Sequence, residues 1–262
     1  ERVQLLDQAL AAFTQAITYN PNYARSYNGL GSVHFQRARA LNSADMCAWN
    51  WDELEQARLA YSKALSSPEN DKPASGYVDY RAHLGLGRYH FWQGNCPDPA
   101  KGDQWATLLA EWSSADGHYQ NVIELYEKMA EPPREISLLA AFAYTDLGFM
   151  ALIQANNLRQ QGNEATVNSS NQRLQQALDH YTQAFDLTLE LNTEQSLFHA
   201  RTFLPYYLFA LCEASDGKRA ATVLGNLVQR FSGGEAIRQA IIDQYESNGA
   251  SWKECTDGSE TF

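Results

Sequence analysis

Hydrophobic residues recur along most of the chain at intervals of three and four, which is the spacing of one face of an α-helix. No segment alternates hydrophobic and polar residues with enrichment in β-branched side chains, so no sheet is predicted. Helix starts are predicted at four residues whose side chains can cap unpaired backbone amides: Asp52, Ser114, Thr193 and Asp216. The pattern predicts helices at residues 2–19, 23–41, 52–66, 76–93, 115–130, 134–162, 167–191, 194–214, 217–231 and 234–247.

Three of these helices share a triplet of small, aromatic and small residues at offsets of four and then three. The small residues let another helix approach closely, while the aromatic ring fills the space between helices. A second pattern, in "YNGLG", "HLGLG" and "YTDLG", ends on Gly31, Gly87 and Gly148. Glycine inside a helix costs about 1 kcal/mol relative to alanine, so its recurrence indicates close helix contact. The triplets are Ala9/Phe13/Ala16, Ala57/Tyr61/Ala64 and Ala177/Tyr181/Ala184.

These two patterns resemble the tetratricopeptide repeat, a helix-turn-helix unit of about 34 residues. The resemblance is clearest over residues 9–34, where the first triplet and Pro21 end one unit and "YNGLG" begins the next. His34 stands where the family usually has tyrosine, and the triplets are spaced more widely than in the family. The resemblance implies an all-α fold, a right-handed superhelical array of antiparallel helix pairs (an α-solenoid) without a sheet. It covers residues 1–250 as one domain.

Two segments interrupt the array at residues 42–51 and 94–112, and each contains cysteine and tryptophan. Their aromatic content predicts that they fold back onto the array, as simply packed loops. Two alternatives are that they close the groove of the array or that Cys47 and Cys96 form a disulfide between them. Residues 251–262 lack a helical period and are predicted to be a C-terminal tail.

The four cysteines leave the compartment open. An even number is compatible with disulfides in an oxidising compartment and equally with four free thiols in the cytosol. Cys212 lies in an apolar helical run and is predicted to be a buried thiol. No signal peptide is visible in the first residues, so the chain is expected to begin inside a longer polypeptide or after processing.

The balance of charge argues against two classes of partner. Thirty-one acidic and 20 basic side chains give a net charge of -11, which repels phosphate backbones and anionic lipid. Residues 136–153 are mostly apolar, but Asp146 lies near their centre, and residues 202–212 are too short to span a bilayer. Both segments are therefore predicted to be buried helices, with neither membrane insertion nor nucleic-acid binding.

No catalytic motif is found, whether HExxH, GxSxG, a phosphate-binding loop or GxGxxG after a strand. His83 and His90 are seven residues apart and could share a helix face, which would allow a metal or proton-relay role. The preferred interpretation is that His34 and His90 fill a core position that the family gives to tyrosine. Neither an enzyme, a cofactor nor a metal site is predicted.

The resemblance implies that a partner binds in the concave groove, on the first helix of each pair. The family's clamps for peptide carboxylates use Lys, Arg and Asn at groove positions, and this chain carries a partial set of them. Two phenylalanines beside that set could take an apolar side chain. The alternative is that the arginines pair with acidic residues such as Asp79. The carried-over positions are Arg25, Asn28, Phe35, Arg81, Arg88 and Phe91, followed in later units by Thr145, Phe149 and Phe209.

The predicted function is a protein- or peptide-binding scaffold whose partner could present an exposed carboxylate. Two alternatives remain open from the sequence. One is a regulatory or sensor domain of a larger enzyme. The other is a structural scaffold that associates with itself by burying residues 136–153 or 202–212 between copies, and the oligomeric state is open.

Overall fold

The computed structural model describes residues 2–39, 47–68, 76–96 and 104–256, and these residues form helices joined by turns. No strand occurs within those ranges, which confirms the all-α prediction. The helices are α1 (Arg2–Tyr19), α2 (Ala24–Ala38), α3 (Trp51–Ser66), α4 (Gly76–Asn95), α5 (Gln104–Glu127), α6 (Arg134–Gln160), α7 (Glu164–Leu191), α8 (Glu194–Glu213), α9 (Gly217–Arg230), α10 (Gly234–Ser247) and α11 (Trp252–Thr256).

The largest departure from the predicted boundaries is the start of α5, which lies at Gln104 instead of residue 115. Part of the segment predicted as an insertion is therefore helix. Trp112 explains this, because its indole is buried and donates a hydrogen bond to the carbonyl of Phe91 at 3.3 Å. Ser114 does not cap a helix, since it lies inside α5 and its hydroxyl donates to the carbonyl of Ala110.

Of the other three predicted caps, two are confirmed and one is wrong. The side chain of Thr193 accepts from the Ser196 amide at the start of α8, and Asp216 caps α9, so both predictions are confirmed. Asp52 was wrong as a cap, because it lies in the first turn of α3 and Asn50 supplies the capping oxygen. Asn50 accepts from the backbone amide of Glu53 at 3.2 Å.

The chain divides into two compact units, residues 1–132 and 133–262. In the first unit each helix contacts the next from α1 to α5, and α2 also contacts α4. In the second unit the contacts run from α6 to α11 in the same way, and α8 also contacts both α6 and α10. Each unit therefore has a layer of alternate helices, α2 and α4 in the first and α6, α8 and α10 in the second.

Neighbouring helices run in opposite directions, as α6 and α7 show. The backbone of Gly148 lies against the ring of Tyr181, and the Ser170 hydroxyl donates to the carbonyl of Ala155 at 2.7 Å. Numbering therefore rises along α6 as it falls along α7.

Alternate helices run in the same direction. Thr145 of α6 contacts His199 of α8, and Arg159 of α6 pairs with Glu213 of α8. Both pairs join residues 54 apart in the sequence, so α6 and α8 are parallel. Within each unit this combination gives an up-and-down succession of helices in which alternate helices are parallel.

The recurring glycines lie where the aromatic residues of odd-numbered helices contact the preceding helix. An added Cβ at these positions would come closer to the ring than real Cβ atoms do, so a side chain there would push the helices apart. Tyr61 is contacted in this way from both sides, by Gly31 of α2 and Gly85 of α4. The Cβ-to-ring distances are 2.8 Å for Gly31 and Tyr61, 2.6 Å for Gly87 and Tyr119, and 2.9 Å for Gly148 and Tyr181.

We expect Gly87→Ala to lower the free energy of unfolding by about 1–3 kcal/mol, because the new methyl group overlaps the buried ring of Tyr119. Gly117→Ala is the matched control, since nothing lies within 4 Å of its added Cβ on α5. That control should stabilise the protein by up to about 1 kcal/mol through helix propensity. Urea unfolding of both variants measures the difference. Equal stabilisation by the two substitutions would contradict the close contact between α4 and α5.

Trp49 connects the first insertion to the core of the first unit. Its ring is buried between Phe35 and Trp92, with centroid distances of 5.5 Å and 4.9 Å. A disulfide joins Cys47, two residues before Trp49, to Cys96, with Cα atoms 5.3 Å apart. The described parts of the two inserted segments are thus joined by a disulfide, and the first contacts α2 through Trp49. Residues 40–46 and 97–103 lie outside the described residues.

A second disulfide joins Cys212 of α8 to Cys255 of α11, with Cα atoms 5.2 Å apart. The prediction that Cys212 is a buried free thiol was therefore wrong. The short helix α11 lies in the predicted C-terminal tail, and Trp252 packs edge-on against Tyr245 of α10. A five-residue helix carries too little periodicity to be found in the sequence.

Among the described helices, α6 alone is long and apolar enough to cross a membrane by length and composition. Its most apolar window has a mean hydropathy of 1.8, and 72% of that window is buried within the protein. Such burial, here against α7 and α8, is typical of a core helix.

Candidate functional site

Three of the predicted groove residues belong to the core of the first unit. Asn28 is 4% exposed, and its side-chain amide donates to the carbonyl of Val78 at 2.7 Å. Phe35 is covered by Trp49, and Phe91 stacks on Trp112. These three predicted groove residues are therefore buried, two of them against tryptophans from the inserted segments and Asn28 against the backbone of α4.

The three arginines of the predicted clamp lie nearer the surface. Arg25 and Arg81 are exposed and Arg88 is half-buried. Arg81 donates to the Tyr77 hydroxyl and holds its guanidinium 4.8 Å from the centre of that ring. Burial raises the pKa of Tyr61, and the hydrogen bond with Ser32 and the charges of Arg88 and Arg81 partly oppose that rise. Asn28, the fourth residue of the predicted clamp, is buried and lies apart from this surface.

A cluster of imidazoles lies between α4 and α5. Nδ1 of His83 and Nδ1 of His118 are 3.0 Å apart, and the ring of His90 stacks on His118. Nδ1 of His90 lies 2.7 Å from a carboxylate oxygen of Glu111. Spacing along the sequence paired His83 with His90, whereas His118 joins them through contact between helices. Within the described ranges, no three His, Cys, Asp or Glu side chains are arranged to hold a metal ion.

Two of these imidazoles resist protonation. Burial lowers the pKa of His83. Burial, followed by the positive charges that His83 and His90 can carry, lowers the pKa of His118 to about 4. At neutral pH both rings are therefore uncharged, and the Nδ1–H of one of the two residues, His83 or His118, donates a hydrogen bond to Nδ1 of the other. Protonating both would place two like charges in contact.

We expect acid to destabilise the protein through this pair. The folded-state pKa of His118 lies below its ordinary value of 6.5, so the folded state binds fewer protons and stability falls as pH drops from about 6.5 towards 4. The urea midpoint should be lower at pH 5 than at pH 7, and His118→Gln should show a smaller difference. An unchanged difference in that variant would exclude the pair as a source of acid sensitivity.

The second unit contains a cavity of about 240 Å³ between α6, α8 and α10. The α6 residues lie at offsets of three, four and seven, which places them on one helix face. The cavity is open to solvent, and the described residues that line it carry no charge. They are Phe149, Leu152, Ile153 and Asn156 from α6, Pro205, Tyr206 and Phe209 from α8, and Tyr245 and Asn248 from the end of α10.

Aromatic rings form much of the wall. The rings of Phe149 and Tyr206 meet edge to face at a centroid distance of 4.9 Å. Phe149, Tyr206 and Phe209 are half-buried, so each presents part of its ring to solvent. Pro205 lies inside α8 and has no backbone N–H, so it interrupts the hydrogen-bond ladder of that helix at the cavity wall.

Three carboxylates act on Tyr245, which is one of the residues that line the cavity. Burial raises the pKa of Tyr245, and nearby Glu213, Glu246 and Glu254 raise it further. Glu213 is paired with Arg159, which offsets its charge. Glu246 accepts a hydrogen bond from the backbone amide of Trp252 at 3.3 Å.

Two cavity residues, Phe149 and Phe209, occupy positions that the family resemblance assigns to a groove. Thr145, the third such position in this unit, is hydrogen-bonded to His199 at 3.0 Å. Tyr245 and Asn248 were missed, because α10 lacks the small–aromatic–small triplet. The amphipathic period of α10 predicts that one face of this helix is buried, but it does not identify the helices that α10 contacts.

Comparisons with protein-family models, with curated proteins and with solved structures found no match to this chain. Its function is therefore inferred from the geometry of its own residues.

Proposed function

We propose that the chain is a tetratricopeptide-like module that binds a protein or peptide, and that the partner lies on the layer formed by α6, α8 and α10. The observation that carries the proposal is the uncharged, aromatic-lined cavity on this layer. Binding cavities are typically concave and mostly apolar, with a few polar groups that orient the occupant. Asn156 and Asn248 supply such groups here, since a carboxamide can both donate to and accept from a peptide backbone.

The alternation of helix directions supports a solenoid of helix pairs. Neighbours are antiparallel, alternate helices are parallel, and glycines hold successive helices close at equivalent positions. A right-handed course of the array is part of the proposal. In such an array the parallel helices line one face, which suits an extended partner.

The two disulfides favour an oxidising compartment. All four cysteines are paired, at Cys47–Cys96 and Cys212–Cys255. Disulfides persist in secreted and extracytoplasmic proteins and are rare in the cytosol of mesophiles. The proposed partner is therefore sought among proteins or peptides that meet this chain outside the cytosol.

Affinity capture from extracytoplasmic extracts with matched variants tests the site. Phe209→Ala removes a cavity ring, whereas Phe198→Ala removes a ring from the same helix that is 70% exposed and lies outside the cavity. We expect wild type and Phe198→Ala to retain a partner that Phe209→Ala retains at least about tenfold less, as for a central interface residue. Circular dichroism must show equal helicity. Equal retention by all three proteins would contradict the assigned site.

Self-association is a second candidate because of α1. This helix has no buried residue, and Val3, Leu5 and Tyr19 are exposed on it. Sedimentation equilibrium at micromolar concentrations distinguishes the two functions. A dimer that Leu5→Glu dissociates would favour self-association. A monomer at every concentration would favour the binding module.

A further inference from the structure

We infer that the cavity between α6, α8 and α10 selects the side chain of a lysine in the partner. This inference rests on the proposed function and specifies the chemistry of the residue that the site takes. Three features support it: the size of the cavity, the nature of its walls and the sign of the charge around it.

The size fits one long side chain. Cavities for cofactors and drug-sized ligands typically measure roughly 300–1,000 Å³. At about 240 Å³ this cavity is smaller, and it opens to solvent on the face proposed to contact the partner. A side chain that enters from a bound peptide therefore matches the space better than a free molecule of cofactor size.

The walls match the two parts of a lysine side chain. Leu152, Ile153 and Pro205 provide aliphatic surface for the methylene stem, which can lie on apolar surface while its charge stays near water. The rings of Phe149, Tyr206, Phe209 and Tyr245 line the same space, and the negative face of an aromatic ring attracts a cation. The side-chain oxygens of Asn156 and Asn248 can accept hydrogen bonds from an ammonium group.

The surrounding charge favours a cation and disfavours a carboxylate. Glu246 directly follows the wall residue Tyr245 in the sequence. Glu254 lies in α11, whose Trp252 packs against Tyr245, and Glu213 is paired with Arg159. The whole chain adds to this field, since its net charge is -11. A neutral apolar side chain would use the same walls but would gain nothing from these carboxylates, and this difference separates the two occupants.

The test compares n-butylammonium, which reproduces the lysine side chain, with 1-butanol, which has the same stem and no charge. Both are titrated into the whole chain, with ring resonances of phenylalanine and tyrosine followed by NMR. We expect n-butylammonium to bind about fivefold more tightly, the scale of an exposed cation–π contact. Shifts should centre on Phe149 and Phe209 and spare Phe198, which is outside the cavity. Equal or tighter binding of 1-butanol, or shifts centred elsewhere, would overturn lysine selection.

A second variant tests the electrostatic part without touching the walls. Glu246 is exposed, so Glu246→Gln should leave the fold intact and weaken n-butylammonium binding about twofold while 1-butanol binding is unchanged. Equal effects on both probes would overturn the electrostatic selection.

The two proposals fail in different ways. If n-butylammonium is not preferred but the partner still depends on Phe209, the proposed binding site stands and the proposal of lysine selection is rejected. If Phe209→Ala retains the partner fully, the proposed binding site is rejected, regardless of how tightly n-butylammonium and 1-butanol bind.

Discussion

Replacing Tyr181 by alanine is expected to lower the free energy of unfolding by about 3–5 kcal/mol, the range for removing a large buried ring. Tyr181 is completely buried, and its ring lies between Gly148 of α6 and the parallel ring of Phe203 on α8, 6.1 Å away. Neither neighbour can collapse far into the space, because both belong to long helices. The loss should therefore combine lost burial with a residual cavity.

Two matched substitutions separate the ring from the hydroxyl. Within the described residues the Tyr181 hydroxyl has no hydrogen-bond partner, so Tyr181→Phe should leave stability unchanged or raise it. Tyr19 is 81% exposed, and Tyr19→Ala should change stability by less than about 0.5 kcal/mol. Urea unfolding followed by circular dichroism gives all three values. A Tyr181→Ala variant as stable as Tyr19→Ala would contradict the central place of this ring in the second unit.

Removing the disulfide between Cys47 and Cys96 is expected to cost about 2–4 kcal/mol in the stability of the first unit. The bond closes a loop between residues 49 apart and holds Trp49 against Phe35, so the unfolded chain gains freedom and the aromatic cluster loses an anchor. The variant is Cys47→Ala with Cys96→Ala.

Intrinsic fluorescence is a suitable probe, because five of the six tryptophans lie within residues 1–132. The same loss should follow from reducing wild type with dithiothreitol, while the double variant should lose no further stability in this signal. A wild-type transition that the reductant leaves unchanged would contradict a structural role for the bond and would weaken the assignment to an oxidising compartment.

The helices and their close contacts could be predicted, because both depend on local periodicity. Both the triplet around Tyr61 and Gly31 are patterns of close helix packing. In the structure they contact each other, since a Cβ added at Gly31 would lie 2.8 Å from the Tyr61 ring. The N-caps at Thr193 and Asp216 were also accessible, since a cap is decided within four residues.

The site could be predicted only in part, because its location depends on contacts between distant segments. The positions that the family resemblance assigns to a groove include Phe149 and Phe209, which line the cavity, and Phe35, which is buried. What differs is Trp49, which comes from an insertion and covers Phe35. The aromatic content of the insertion predicts that it packs onto the array, but no local pattern predicts that Trp49 meets Phe35 or that Tyr245 meets α6 and α8.

The most direct test of the binding account is selection of random peptides displayed on phage against the folded, oxidised chain. The enriched peptides are then measured against wild type, Phe209→Ala and Phe198→Ala. The account predicts a shared lysine among the peptides, with affinity lost in Phe209→Ala and kept in Phe198→Ala. Peptides that bind all three proteins equally would contradict a binding site on the layer of α6, α8 and α10.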